Sequence, residues 1–557
     1  MYFRIARRKQ GAVTYQYLQL VESYREESKN RQRVLYSFGN LEKLREDGQL
    51  GRLIESLERA TGRHPQPGLE ALRTERVLEY GAVRVAQALW EQFDLTALLQ
   101  GLLERRRFQF DPVAAIATMV FNRLLAPKSE LAISQWRDRL WWPQFASEPL
   151  QVQHLYRALD ALLEIKEPLE EQLFARVQHL FNLKVDVVFY DLTSSYFEGE
   201  GPPLASYGYS RDKRPDRQQV LLALACEQHG FPIAHEVLAG NRADVSTVQG
   251  MIAALQSRFQ LRRVIFVADR GMVSEANLQA LTEAGYQYLV GMRRDRVAEP
   301  ESHAPEDLCE YEPGPHKVLV HTSDAPQPGA RYVCCWSEGR AEEERQIREA
   351  RLDKGREALE KLAAQVAAGR LKREHKIVAR VTSKLRAARA SKYFDCEISE
   401  GQLQFTLNEE QVAKERRLEG RYFLLTNAPA LTPQDAVEAY FTLQEVERAF
   451  REMKDFLQLR PIYHWTDERV RAHVFVCVLA YLLERSLSHQ LRRAGVGLSP
   501  REALDWASRI HAAENKLGEH TIWTVSRPTP AASQVLQALG VRKLPTTLKD
   551  FDPTPAP

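Results

Sequence analysis

From residue 183 to residue 292, short apolar runs alternate with turns and amphipathic stretches, and this feature restricts the fold more than any other. KVDVVFYD runs into Asp191. QQVLLALACEQ and FPIAHEVLAG follow, separated by a His229–Gly230 turn, which implies consecutive antiparallel strands. Val245 to Phe259 has helical spacing, and RRVIFVAD is a buried strand that ends on Asp269. SEANLQALTEA reads as a helix with Ser274 as N-cap, and YQYLVG closes the series as a strand. Three antiparallel strands followed by β-α-β units make a mixed α/β sheet covered by helices.

The flanks differ in kind. Residues 1–40 are rich in β-branched and aromatic residues around a polar Glu26–Asn30 turn and read as strands. Residues 77–180 carry apolar residues at helical spacing, broken at Pro127 and Pro143. Trp136, Trp141 and Trp142 there read as core or surface anchors. Beyond 292, prolines mark loops and short strands to about Gly339, and residues 340–392 read as long, charged, Ala-rich helix. RYFLLTN at 421–427 is strand-like, and 433–458 is a strong helix opened by Thr432 and Pro433. The apolar run Val474 to Leu483 is too short for a bilayer and reads as a buried helix. His464 and His473 flank that helix's start and read as core or capping residues rather than metal ligands.

Charge matters locally. The chain of 557 residues has 77 Lys+Arg against 74 Asp+Glu, a net of +3 that suggests no polyanion partner. Residues 1–36, however, hold eight basic and three acidic residues, a net of +5, with Arg7, Arg8 and Lys9 adjacent. That hairpin reads either as a solvated basic surface or as a phosphate contact. Residues 370–392 hold nine basic residues, among them Arg373, Lys376, Arg380 and Lys384, and only Glu374 is acidic. A run so one-sided favours a polyanion contact over a solvated face. The six cysteines form no C-x-x-C pair, and scattered thiols suit a reducing cytosol. The first residues, MYFRIARRKQ, lack the apolar run of a signal peptide, so a cytoplasmic protein is expected. Phosphate-loop, zincin and serine-hydrolase motifs are absent.

Chemistry concentrates on three carboxylates. Asp191 and Asp269 each end an apolar strand, where a sheet rim holds a side chain rigidly; each alone reads equally as a turn or cap. On the 433–458 helix, Tyr440, Glu447 and Lys454 lie seven residues apart, nearly two turns, so they share a stripe. Val446, Phe450, Met453 and Leu457 make the core stripe beside it. By spacing alone Glu447 reads as an ordinary solvated glutamate sooner than as a metal ligand.

Together these residues resemble a DDE transposase of bacterial insertion sequences, in the branch named for a Tyr-(x2)-Arg-(x3)-Glu-(x6)-Lys signature. Tyr440, Glu447 and Lys454 match it at the right spacing, and Leu443 stands where the family has Arg. The likeness extends to FYDLTSSYFEG around Asp191, AGNRADVSTVQGMI at 239–252, VADRGMVS around Asp269 and the stretch after Lys454, covering about 185–485. It implies a ribonuclease H-like fold with helices on both faces of the sheet. Asp191, Asp269 and Glu447 would bind two Mg²⁺ or Mn²⁺ ions for DNA cleavage and strand transfer, in cut-and-paste transposition. Tyr440 and Lys454 would hold DNA phosphates, with Arg451 or Arg448 replacing the missing arginine. Asn241, Arg242 and Asp244 match a family motif and read as caps of the helix near Val245. The partners implied are double-stranded DNA, as inverted-repeat ends and target, and a second copy of the chain.

The expected organisation is a basic hairpin region over 1–75, a mostly helical DNA-binding region over 76–182, and the core's first part over 183–292. An insertion with the basic helix spans 293–420, the core's second part 421–490, and a C-terminal region 491–557. A catalytically dead, domesticated DNA-binding relative is the alternative; the three carboxylates argue against it and Leu443 for it. An aspartyl-phosphate phosphatase using Asp191 is disfavoured, because Thr193 stands where a second Asp would be needed.

Overall fold

The computed structural model describes residues 1–10, 13–26, 29–61, 72–143, 150–181, 185–242, 247–261, 264–269, 274–297, 300, 309–311, 318–399, 402–518, 520–541 and 543–548. Met1–Val77 with Ala513–Thr524 forms one compact unit, and Leu78–Ala512 with Val525–Pro557 forms another.

In the first unit, Tyr2–Gln10, Val13–Glu26 and Lys29–Asn40 build an antiparallel sheet in sequence order. The ladder between the second and third strands runs to Glu26↔Lys29, and residues 27–28 of the expected turn lie outside the described residues. Asn40 ends the third strand and caps the helix Leu41–Glu46, its side chain accepting from the Glu42 and Lys43 amides at 2.9 and 3.3 Å. Arg7, Arg8 and Lys9 are exposed on the first strand.

In the second unit, a nine-stranded mixed sheet runs in the order Cys309–Tyr311, Val318–Asp324, Arg331–Ser337, Arg421–Thr426, Gln287–Met292, Ile265–Ala268, Val187–Tyr196, Gln219–Glu227, Pro232–Ala239. The last three strands pair antiparallel, whereas Val187–Tyr196, Ile265–Ala268 and Gln287–Met292 are mutually parallel neighbours. This is the mixed α/β arrangement the periodicity implies. The strands of 309–337 and 421–426 widen the same sheet at one edge, so the first part of the inserted segment belongs to the core sheet.

The expected single helix over 340–392 is two helices, Glu338–Ala367 and Glu374–Ala388. Gly369 between them has φ +68°, a left-handed turn that only glycine adopts without strain. Ile377, Val381 and Leu385 pack with Leu359, Leu362 and Val366 in a core of their own. Arg373, Lys376, Arg380 and Lys384 are left outside that core and exposed.

Helices Pro112–Leu125 and Val152–Glu164 pack on the long helix Asp467–Arg493, which buries the whole run from Ala472 to Ser488. Trp136, Trp141 and Trp142 are core residues, and Trp142 stacks on Phe121 at 4.4 Å. Among the described residues no helix is long and apolar enough to cross a membrane.

Candidate active site

Side-chain alternation on Val187–Tyr196 sends Val188, Tyr190 and Leu192 into one hydrophobic core cluster. Asp191 and Thr193 therefore point to the opposite face, against which helix Gln444–Arg451 packs. Asp191 does not end its strand as expected. The strand continues to Tyr196 because its antiparallel partner still pairs there, whereas the parallel pairing stops at Tyr190↔Ala268. Asp269 directly follows that last parallel pair. The two aspartates thus leave neighbouring strands side by side, roughly 4.8 Å apart in backbone.

The helix expected over 433–458 is interrupted. Pro433–Thr442 begins with a capping box between Thr432 and Asp435, a turn falls at Leu443, Gln444–Arg451 follows, and Glu452–Phe456 is a π turn. Val446, Phe450, Met453 and Leu457 are buried as the core stripe requires. Leu443 is 5% exposed, so the position where the resemblance expects arginine faces apolar packing. The wider π turn shifts the phase between Glu447 and Lys454.

Glu447 is exposed, and its charge reaches Asp191. Burial pushes the Asp191 carboxyl up to about 7; the Leu192 amide and Arg211 oppose the shift, and the Asp269 and Glu447 carboxylates add to it. Three carboxylates from two strands and a helix therefore share one electrostatic site. Hard oxygen donors in this arrangement suit a divalent cation.

Two signature positions are engaged within the site. Tyr440 donates to Asp269 Oδ1 at 3.4 Å. Its ring crosses Gly291, where a Cβ would lie 2.6 Å from the tyrosine oxygen, so a larger residue would displace it. Lys454 Nζ donates to Thr193 Oγ1 at 2.6 Å and Asp212 Oδ1 at 2.9 Å. Burial pulls the Lys454 ammonium below the usual lysine value, and Asp212 pulls it back. Arg460 meets the other Asp212 oxygen at 2.8 Å and lies over the Tyr196 ring at 4.7 Å. Arg451 is exposed one turn beyond Glu447. Asn241 and Arg242 are exposed, Asp244 lies outside the described residues, and the helix begins only at Val248.

Residues 184–483 match the family model described as Transposase DDE domain, more than half of the chain, and residues 3–68 match IS1634 family transposase, N-terminal domain. The chain belongs to the DDE transposase family. No curated protein sequence matches the transposase. The remotely similar solved structures include two transposase complexes. One is a piggyBac transposase synaptic complex with hairpin DNA, at 10% identity and TM-score 0.34, covering 77% of this chain and 79% of that one. The other is a Mos1 transposase paired-end complex with a left transposon end, at 15% identity and TM-score 0.15, covering 37% and 57%.

The matched segment of the transposase contains Asp191, Asp269, Tyr440, Glu447 and Lys454. Thr193, Arg211, Asp212, Arg460 and Gly291 escaped the sequence reading. Thr193 had a signal, since it lies two residues from Asp191 and so on the same strand face. Arg211, Asp212 and Arg460 had none, because loop positions carry no period, and Gly291 lies on a strand but meets Tyr440 only through tertiary packing. Arg373, Lys376, Arg380 and Lys384, and Arg7, Arg8 and Lys9, belong to elements other than those bearing the carboxylates.

Proposed function

We propose that the transposase cleaves DNA at the inverted-repeat ends of its insertion sequence and joins those ends to target DNA, as in cut-and-paste transposition. Asp191, Asp269 and Glu447 would hold two Mg²⁺ or Mn²⁺ ions on a ribonuclease H-like core. One observation carries the reading: Asp191 is raised to about 7 in a half-buried site where Asp269 and Glu447 add like charge, a cost that a bound cation removes. The strand order, three antiparallel strands followed by two parallel ones, supports the core assignment.

Bound divalent ions would supply Lewis-acid activation of the phosphate and of the attacking water. The protein's own groups do the positioning. Tyr440 restrains the Asp269 carboxylate. Lys454 presents a cation beside Thr193, where DNA phosphate would exchange with Asp212. Arg451 adds an exposed cation on the Glu447 helix. The helix Glu374–Ala388, with Arg373, Lys376, Arg380 and Lys384, and the strand with Arg7, Arg8 and Lys9 supply sequence-independent DNA affinity. Bringing two ends together calls for two copies of the chain.

The test is cleavage of DNA bearing the element's terminal repeats in Mg²⁺ or Mn²⁺. Alanine at Asp191, Asp269 or Glu447 abolishes cleavage and leaves DNA binding largely intact. Normal cutting by Asp269→Ala would sink the site assignment. Leu443 favours a second reading, DNA binding without cleavage, which cleavage by the wild-type protein would exclude.

A further inference from the structure

The first turn of helix Glu130–Arg137, the segment before helix Asp467–Arg493 and that helix itself meet at one polar cluster. Glu130, His464 and His473 are 4%, 6% and 2% exposed. Their ligating atoms all lie within 4.8 Å of one another. His464 Nε2 is 3.4 Å from Glu130 Oε1, and His473 Nδ1 is 3.6 Å from the same oxygen. A tetrahedral ion with bonds of about 2.0–2.1 Å places its ligand atoms roughly 3.4 Å apart, so these separations fit a shared ion.

The tautomer points the same way. His473 Nε2 faces the Leu459 carbonyl at 3.1 Å. A carbonyl only accepts, so Nε2 carries the hydrogen and a neutral ring keeps its lone pair on Nδ1, facing the carboxylate. Two lone pairs directed at each other are relieved either by a proton on Nδ1 or by a cation between them. A histidine that gives its other N–H to a backbone carbonyl is the usual support for a metal ligand. His464 Nε2 makes no well-directed hydrogen bond among the described residues. Arg123 lies near, but its Nη2 stays 3.8 Å from Glu130 Oε1 and its Nη1 is committed to the Gln458 carbonyl at 3.2 Å.

We propose that Glu130, His464 and His473 form a buried structural site for a zinc-type divalent ion. Two imidazoles and one carboxylate select Zn²⁺ over Mg²⁺, which prefers oxygen alone. Water would complete the fourth position. The ion clamps the chain between Leu459 and Thr466, and so fixes where the Glu447 helix hands over to Asp467–Arg493.

The test uses the full chain carrying Asp191→Asn, Asp269→Asn and Glu447→Gln, so that the carboxylate site cannot contribute. After chelator stripping, Co²⁺ should bind at one equivalent with the visible absorption of a four-coordinate ion, be displaced by Zn²⁺ and not by Mg²⁺, and raise the thermal midpoint. Adding His464→Gln should weaken Co²⁺ binding by more than about 100-fold, beyond the loss seen for supporting residues. A natively folded triple variant that binds no Co²⁺, or binding unchanged by His464→Gln, overturns the proposal. If His464→Gln does not fold, the stoichiometry of the triple variant decides alone.

Discussion

The carboxylate site and the Glu130 cluster start from the same ingredient, a carboxylate withdrawn from water, and treat its charge in opposite ways. Asp191 has two more carboxylates for company and rises to about 7. Glu130 has Arg123 at 3.8 Å and imidazoles at 3.4 and 3.6 Å. The first site also keeps an exposed member, Glu447, whereas the second is sealed by helices. Uncompensated charge at an accessible rim prepares a site to take up cation and substrate. Compensated charge in a closed interior holds elements together.

Activity breaks the comparison most sharply. Alanine at Asp191, Asp269 or Glu447 should take strand cleavage below detection, while Glu130→Gln should reduce cleavage without abolishing it, measured on labelled repeat-end DNA.

Stability comes next. Arg123→Met leaves Glu130 buried without its guanidinium and should cost about 3–5 kcal/mol in chelator, read from the thermal or denaturant midpoint. Added Zn²⁺ should recover part of that loss. Asp191→Asn, which removes an uncompensated charge, should raise the midpoint instead. Equal losses from both substitutions would erase the contrast.

The pH response sharpens it further. Asp191 is raised in the folded chain from an ordinary aspartate value to about 7, so the folded state holds the extra proton between the two. Metal-free protein therefore loses stability from about pH 4 upward, until the group is ionised above about pH 7. Asp191→Asn should lack that slope, and Mg²⁺ should stabilise the wild type more at pH 8 than at pH 5. A pH-independent Mg²⁺ effect would count against Asp191 as a ligand.

The smallest effect belongs to the insertion. Glutamate at two of Arg373, Lys376, Arg380 and Lys384 should weaken DNA binding, lowering the salt slope by about 0.9 for each phosphate no longer neutralised. Because these side chains lie outside the core of Ile377, Val381 and Leu385, the melting curve should not move.

Much of this was legible locally. Ser274 and Thr432 both cap as their sequence context implies, with Asn277 and Asp435 amides as donors. The strand runs around Asp191 and Asp269 stand where apolar periodicity puts them, as does the stripe from Val446 to Leu457. The breaks were less legible. The turn at Leu443 and the π turn after Arg451 depend on how the helix meets the sheet, and Leu443 is a good helix former.

The sequence by itself determined the mixed α/β class, the placing of the carboxylates on strand and helix, and the two basic segments hidden in a net charge of +3. The strands and helices are written within a dozen residues at periods of 2 or 3.6, which local sterics and burial enforce, and the charge runs are read by counting. Only the tertiary structure decided the partners. Lys454 meets Asp212 across 242 residues, and Glu130 meets His464 and His473 across helices far apart in the chain. Such meetings follow from how sheets and helices dock, and a docked charge takes its energy from every neighbour that water no longer screens.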